Sequence, residues 1–241
     1  MPGRAKTYVT LVIFTGSLVV LLAAGSWSSA DPRQFAMCLG LAAFASTLKV
    51  RIPLVEGTLS LNFVFLLLGM VTLSFSEVVA VSLTAALVQS VWASAKPVRL
   101  VQVGFSASAL ILSSSLAYEF SRFIAGDSAV ASVIIAGSIY LPLNSSLVSV
   151  VIGLVEGQPI KQVFERCYQW VFPYFMGGMV FAGLVSAIFR PASLWKGALV
   201  LLPAAVSAYL HFLSRSAFAG SITEPTARAT LLSSSRERDS I

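Results

Sequence analysis

The chain has 241 residues, of which 57% are hydrophobic and only 11% are charged. This composition excludes a water-soluble globular domain, because too few polar side chains are present to cover a protein of this size. The 16 Lys and Arg residues exceed the 10 Asp and Glu residues, and in a membrane protein the position of this excess along the chain is informative. The expected fold class is an all-α, polytopic transmembrane helix bundle.

Eight apolar segments follow one another along the chain, separated by charges, prolines and glycines. A span needs roughly 20 apolar residues, or fewer where other protein segments surround it. The predicted spans are residues 8–25, 35–48, 61–75, 78–94, 100–118, 129–155, 169–189 and 197–213. Residues 1–215 are therefore predicted to form a transmembrane domain. Residues 216–241, which are rich in Ser, Arg and Thr, are predicted to be a disordered cytoplasmic tail.

The basic residues predict the orientation of this bundle. If the N-terminus lies in the cytoplasm, twelve of the 16 Lys and Arg residues fall on the cytoplasmic side, and Arg33, Arg122, Arg190 and Lys196 fall outside. Short cytoplasmic loops are enriched in Lys and Arg, so this distribution favours eight crossings with both termini in the cytoplasm. The predicted location is the bacterial inner membrane.

Residues 49–62 interrupt the apolar pattern between the second and third spans. Pro53 and Gly57 disfavour a continuous helix, and Glu56 and Asn62 are unusually polar for this position. Irregular backbone at membrane depth is tolerated only where protein or water satisfies its amides, so a re-entrant or pocket-lining loop is one interpretation. An ordinary cytoplasmic loop is the other.

The spans contain almost no ionisable residues. Glu77 and Glu119 fall at span ends, where lipid headgroups are their expected surroundings, and this disfavours a proton pump or an ion-coupled carrier. His211 has no second ligand at metal-binding spacing, and no nucleophile–base pair or nucleotide-binding motif is recognisable. The sequence therefore predicts a protein that is not an enzyme, with no metal and no cofactor. Cys38 and Cys167 are expected to be free thiols.

Neutral polar residues within the spans are the candidate ligand contacts. An amide in hydrocarbon is costly unless it is paired, so these residues should face other helices or a shared cavity. Interhelical packing and ligand binding both remain open for each of them. We take Asn62, Gln102 and Asn144 as the predicted ligand-binding residues from the larger set of Asn62, Gln89, Gln102, Ser106, Ser108, Tyr140, Asn144, Ser145 and Ser146.

Residues 156–174 combine charges with a run of aromatic residues. Lys161 and Glu165 have the spacing of a short amphipathic helix on the inner membrane surface, which would lead into an aromatic entry to the seventh span. Such an elbow either anchors the span or relays a change in the bundle to a cytoplasmic partner. The candidate relay residues are Glu165, Arg166, Tyr168, Trp170 and Tyr174.

Five stretches of the chain share a distinctive order of residues. They read KVRIPLVEGTLSLNFVFLLLG at 49–69, LVQSVW at 87–92, PVRLVQVGF at 97–105, ERCYQWVFPYFMGG at 165–178 and AGLVSAIFR at 182–190. Together they resemble the N-terminal multi-pass membrane module of acidobacterial-type signalling proteins. In that family the module precedes a cytoplasmic HD-domain phosphohydrolase or diguanylate cyclase. Ser106 stands where the family has an asparagine, and the chain ends where the output domain would begin. The resemblance implies a sensor module without its effector.

The stretch IPLVEGTLSLN at 52–62 is also similar, at the level of pattern, to the substrate-binding membrane subunits of energy-coupling-factor vitamin transporters. Three functions therefore stay open: a sensory or ligand-binding module linked to signal transduction, a small-molecule uptake protein, and a structural membrane protein without a ligand. The expected partners are the lipid bilayer, a second copy in a homodimer and a cytoplasmic signalling effector. Nucleic acid is not an expected partner, because the basic residues follow the membrane topology.

Overall fold

The computed structural model describes residues 1–29, 31–51, 58–92 and 99–188. All of them belong to one compact unit, Met1–Gly197, and the second unit, Ala198–Ile241, lies outside them. The predicted eighth span at 197–213 and the predicted tail at 216–241 therefore fall outside the described ranges. The same holds for residues 52–57, the central part of the predicted loop at 49–62.

Seven helices and one pair of strands run through the described part of the chain. In order they are α1 Gly3–Gly25, α2 Pro32–Thr47, β1 Lys49–Arg51, β2 Thr58–Ser60, α3 Asn62–Thr72, α4 Phe75–Val91, α5 Leu100–Ala125, α6 Ala129–Glu156 and α7 Ile160–Ile188. Four segments of these ranges are long and apolar enough to cross a membrane: Gly3–Gly25, Leu100–Ala125, Ala129–Glu156 and Val171–Ile188. The chain is therefore a helical membrane protein, as the composition indicates.

The fold is all-α as predicted, and one pair of three-residue strands accompanies the helices. Lys49–Arg51 pairs antiparallel with Thr58–Ser60, with Val50 opposite Leu59. Pro53 and Gly57, which disfavour a helix, lie between the strands in the sequence. Cross-strand pairing satisfies backbone groups that the interrupted helical pattern leaves without partners.

Short polar sequences determine where several helices begin. The Asp31 carboxylate accepts a hydrogen bond from the Arg33 backbone N–H at 3.0 Å, and Pro32 occupies the first position of α2. Ser74 and Glu77 form a capping box at the start of α4. The Ser128 hydroxyl accepts from the Ala131 N–H at the start of α6, at 3.3 Å.

Successive helices run in alternating directions between two ends of the bundle. At the near end, where α1 begins, residues 2–4 lie beside Gly153, Leu154 and residues 157–160, at the junction of α6 and α7. Tyr8 donates a hydrogen bond to the Leu147 carbonyl oxygen at 3.1 Å at this end. At the far end, the loop after α1 meets the turn between α3 and α4, and Ser76 Oγ donates to the Ser26 carbonyl oxygen at 3.1 Å.

A serine pair joins α4 and α5 inside the bundle. The Ser82 and Ser114 hydroxyl oxygens lie 2.7 Å apart, and neither side chain is exposed. A double-mutant cycle with Ser82→Ala and Ser114→Ala is expected to give a coupling of about 0.6 kcal/mol, the typical value for an interhelical hydrogen bond in a membrane protein. Thermal unfolding of the four proteins in one detergent measures it. Strict additivity of the two single substitutions would show that this hydrogen bond makes no net contribution.

Candidate functional site

Helix α3 begins near the mid-depth of the bundle. Its 11 residues rise only about 16 Å before the chain turns into α4 at the far end. The Phe63 ring, on the second residue of α3, stacks on Phe175 of α7 at a centroid distance of 4.2 Å. Phe175 in turn stacks on Tyr140, the twelfth of the 28 residues of α6, at 5.8 Å. The chain therefore changes from paired strands to helix at about half the height of α6.

Four rings, which we call the aromatic cluster, surround this point: Phe63, Tyr140, Tyr174 and Phe175. Tyr174 lies 5.3 Å from Phe63 and 6.1 Å from Phe175, measured between ring centroids. Phe63 and Tyr140 are each only 2% exposed. Gly178, one turn after Tyr174 on α7, leaves the space that the end of the Phe63 ring fills. The cluster joins α3, α6 and α7 through uncharged, polarisable surfaces.

Asn62 is buried at the start of α3, and its amide is paired. Its Nδ2 donates a hydrogen bond to Gln89 Oε1 on α4 at 3.2 Å, and the Asn62 residue is 4% exposed. Burial of an amide at this depth requires such a partner. Gln89 belongs to the polar residues of the spans, but the sequence contained no signal that paired it with Asn62, since 27 residues separate them.

The other two predicted ligand contacts lie elsewhere. Gln102, the third residue of α5, is exposed toward the near end of the bundle. Asn144 is half-buried one turn after Tyr140 on α6, and it makes no hydrogen bond within the part of the chain that the structure describes. The three amides are therefore not hydrogen-bonded to one another. Their ligand binding stays a prediction, with Asn62 the one that adjoins the aromatic cluster.

The predicted elbow is part of a single helix. Residues 160–188 form α7 without a break, so the expected separate surface helix is continuous with the seventh span. Glu165 and Lys161 form an exposed ion pair with an oxygen–nitrogen distance of 3.9 Å, and Arg166 is also exposed. The Tyr168 ring lies between those of Phe164 and Phe172, at 5.4 and 5.3 Å. The side chain of Trp170, another predicted relay residue, lies outside the described set.

Two prolines lie at the same height in α6 and α7. Gly137 faces Met179 and Tyr140 faces Phe175 across this antiparallel helix pair. This register places Pro142 of α6 opposite Pro173 of α7, level with the aromatic cluster. A proline inside a helix has no N–H for the carbonyl four residues earlier and is a common position for a bend. Each of the two helices therefore lacks one backbone hydrogen bond at the level where α3 begins.

Glu77 differs from its predicted placement among lipid headgroups. Only 2% of Glu77 is exposed, and its carboxylate accepts hydrogen bonds from Ser29 Oγ at 2.6 Å and from the Ser74 N–H at 2.8 Å. The capping box draws this side chain back toward the helix start, and the loop after α1 covers it. Glu119, the other span-end carboxylate, is exposed as expected.

Residues 1–29, 31–51, 58–92 and 99–188 contain no group of three or more His, Cys, Asp or Glu side chains that could hold a metal ion. Cys38 and Cys167 are free thiols, half-buried and buried respectively. Comparison of the chain with protein-family models, with curated proteins and with solved structures finds no match.

Proposed function

We propose that this protein is a sensory membrane module that binds a small uncharged molecule beside the start of α3 and relays binding along α7, with no catalysis of its own. The observation that carries this proposal is the start of α3 at mid-depth, where the buried Asn62–Gln89 pair adjoins the aromatic cluster. Helices that begin inside a membrane bundle commonly lie at binding sites, because irregular backbone there requires a protein or water lining.

The chemistry of these side chains favours an uncharged ligand. Aromatic faces and two amides offer apolar contact with a few directional hydrogen bonds, which is the usual lining of a small-molecule site. An ion placed there would lose its hydration without an opposite charge from these six side chains. A planar or ring-containing molecule with at least one hydrogen-bonding group fits best.

Helix α7 supplies the route for the relay. Tyr174 and Phe175 contact Phe63 beside the proposed ligand, and the same helix carries Glu165 and Arg166 to the near end. The paired prolines offer a common bending level for α6 and α7. A ligand biases such a bend only if it binds the two conformations with different affinities. A displacement of the Phe63 ring on binding would provide that difference.

The charge distribution supports a cytoplasmic near end. Arg4, Lys6 and Lys161 lie toward that end, whereas Arg33 and Arg122 lie toward the far end. We place the protein in a bacterial inner membrane, with an eighth crossing at 197–213 that returns the chain to the cytoplasm. A homodimer partner or a separate cytoplasmic effector would then receive the signal, in keeping with the resemblance to bacterial sensor modules.

Retention of a native ligand tests the proposal. The protein purified in lipid nanodiscs from bacterial membranes is expected to carry a small molecule that native mass spectrometry detects. Asn62→Ala should weaken its binding about tenfold, the effect of one buried hydrogen bond, whereas Gln102→Ala should leave it unchanged. Equal retention by the wild type, Asn62→Ala and Phe63→Leu would place the ligand elsewhere. Detection of no small molecule would favour a structural protein.

Uptake is the second candidate function, and the paired strands directly before α3 favour it, because a transporter subunit needs a segment that covers its substrate. The two functions differ in vesicles. If the protein is a sensor, the concentration of the identified ligand inside sealed proteoliposomes should not rise above the concentration outside. If it is an uptake protein, the ligand should accumulate inside, either with the protein alone or with an ATPase partner.

A further inference from the structure

An open cavity of about 480 Å³ lies at the near end of the bundle, between the start of α1 and the junction of α6 and α7. We call it the near-end cavity, and it is lined by residues 2–4, Gly153, Leu154 and residues 157–160. Small-ligand sites in proteins have volumes of roughly 300–1,000 Å³, so this space can hold a small molecule or a lipid headgroup. None of its lining residues belongs to the aromatic cluster at mid-depth.

The lining of the near-end cavity carries a cation and no carboxylate. Arg4 is the charged residue of this lining. It forms no ion pair within the described ranges, in which Lys161 and Glu165 pair with each other. A guanidinium without an acidic partner presents several N–H donors in one plane, an arrangement that matches the oxygens of a phosphate group. The cavity therefore favours an anion and disfavours a metal cation.

The backbone around the cavity adds neutral donors. Helix α1 begins at Gly3 without a side-chain cap, and neither α1 nor α7 has an acidic residue in its first turn. The Lys6 N–H donates to the Pro2 carbonyl oxygen at 3.1 Å, and the Gln162 N–H donates to the Pro159 carbonyl oxygen at 3.0 Å. The N–H groups that precede them in each first turn have no partner within the helix and favour a nearby negative charge. These groups strengthen the attraction of the guanidinium and do not by themselves define the site.

Apolar side chains on the same cavity indicate that the anion belongs to a lipid. Leu154 and Ile160 are lining residues, and Ile160 is 42% exposed. Arg4 and Lys6 are the last charged residues before the apolar run at 7–25, so the cavity lies where lipid headgroups meet the hydrocarbon. A free phosphate ion would leave the two apolar side chains uncovered. The glycerol and first acyl carbons of a phospholipid would cover them.

We propose that the near-end cavity binds the phosphate group of an anionic phospholipid, with Arg4 as its cationic contact. Basic cavities between membrane helices are common sites for anionic headgroups. Phosphatidylglycerol is favoured over phosphatidylcholine, because the choline group would bring a further cation beside Arg4 and Lys6. Glu156 precedes Gly157 and is not a lining residue. The bound lipid joins the start of α1 to the junction of α6 and α7, and the proposal does not depend on a ligand at the aromatic cluster.

Native mass spectrometry of the full chain tests this site. The delipidated protein in detergent is titrated with dioctanoyl phosphatidylglycerol, and the first lipid is expected to bind more tightly than later ones. Arg4→Gln should weaken this first binding about tenfold, the effect of one hydrogen bond to a charged group. Lys6→Gln is the matched control, because it removes the same charge from the same helix end outside the cavity lining, and it should change the affinity less than about twofold. Because Arg4 is exposed, Arg4→Gln should keep the wild-type melting temperature without lipid.

Two further titrations identify the source of the phosphate group. Dioctanoyl phosphatidylcholine should bind the first site more weakly than dioctanoyl phosphatidylglycerol does. Inorganic phosphate at the same concentration should not displace the bound phosphatidylglycerol. The proposal would be overturned by displacement with inorganic phosphate, by equal affinity for the two lipids, or by the absence of a distinct first site. Equal effects of Arg4→Gln and Lys6→Gln would also overturn it, because binding would then follow the overall charge of the near end.

Discussion

Gly178→Ala is expected to lower the free energy of unfolding by about 2 kcal/mol, because the added methyl group would overlap the end of the Phe63 ring. The ring can move aside only by displacing its neighbours, since it is stacked on Phe175 at 4.2 Å and lies 5.3 Å from Tyr174. Because the methyl group would overlap three atoms of the ring, we place the cost at the upper end of the roughly 1–3 kcal/mol typical of overpacking, and the higher helix propensity of alanine offsets about 1 kcal/mol of it. Thermal unfolding in detergent measures the difference.

Gly177→Ala is the matched control for this substitution. It changes the neighbouring position of the same helix, where an added methyl group would meet no atom within 4 Å. We expect its free energy of unfolding to equal that of the wild type or to exceed it by up to about 1 kcal/mol. Phe63→Leu in the Gly178→Ala background should restore part of the loss, because leucine lacks the Cε and Cζ atoms that overlap. Equal effects of Gly177→Ala and Gly178→Ala would contradict this packing.

Gly178→Ala should also affect the proposed ligand. Phe63 forms one wall of the aromatic cluster, so a ring displaced by the new methyl group would alter the site without removing any polar contact. Ligand retention should therefore fall in Gly178→Ala and stay unchanged in Gly177→Ala. If the ligand were bound equally by both, the site would not include the face of Phe63.

Gly16→Ala is expected to lower the free energy of unfolding by about 2 kcal/mol through a different overlap, with the gain in helix propensity again subtracted. A methyl group on Gly16 would meet Cβ, Oγ and a backbone carbon atom of Ser108 on α5. Because a backbone atom is among these, no side-chain rotation can remove the overlap, and α1 must move away from α5. Val12, Phe105 and Ala109 pack in the same interface and would separate from one another. The apparent melting temperature in nanodiscs reports the loss.

Gly25→Ala serves as the control on α1, since its added methyl group would meet no atom within 4 Å. Ser108→Gly in the Gly16→Ala background should recover only part of the stability, because it removes the side chain of residue 108 but leaves the overlap with the α5 backbone. Wild-type stability of Gly16→Ala would show that α1 and α5 are not packed this closely.

The membrane class and the positions of seven helices could be predicted from local information. Apolar runs such as residues 100–118 and 129–155 coincide with α5 and α6, although the helices extend further at one end. Helix starts are also local, since Asp31 and Ser74 accept hydrogen bonds from backbone groups two or three residues away. Hydrophobicity and capping depend on neighbours in sequence, and these are visible without a fold.

The candidate site could be predicted only in part. Asn62 could be identified from its polarity, but its partner Gln89 lies on another helix. The surrounding rings of Phe63, Tyr140 and Phe175 belong to apolar runs that have no distinguishing feature in the sequence. Gln102 was grouped with Asn62 on residue type alone, and its position at the near end is set by where α5 begins. The continuity of α7 was missed because charges and Pro173 interrupt its apolar pattern, whereas packing against α6 stabilises the helix across both.

The sequence by itself determined that the chain lies in a membrane, which segments are helical and which end carries the basic residues, because each of these depends on composition over about 20 residues. Only the tertiary structure decided that α3 begins at mid-depth, that Pro142 lies opposite Pro173 and that Glu77 is buried beneath a loop 48 residues away. These features depend on the register and height of one helix against another. That register is set by close approaches such as Gly178 to Phe63 and Gly16 to Ser108, which connect residues far apart in the chain.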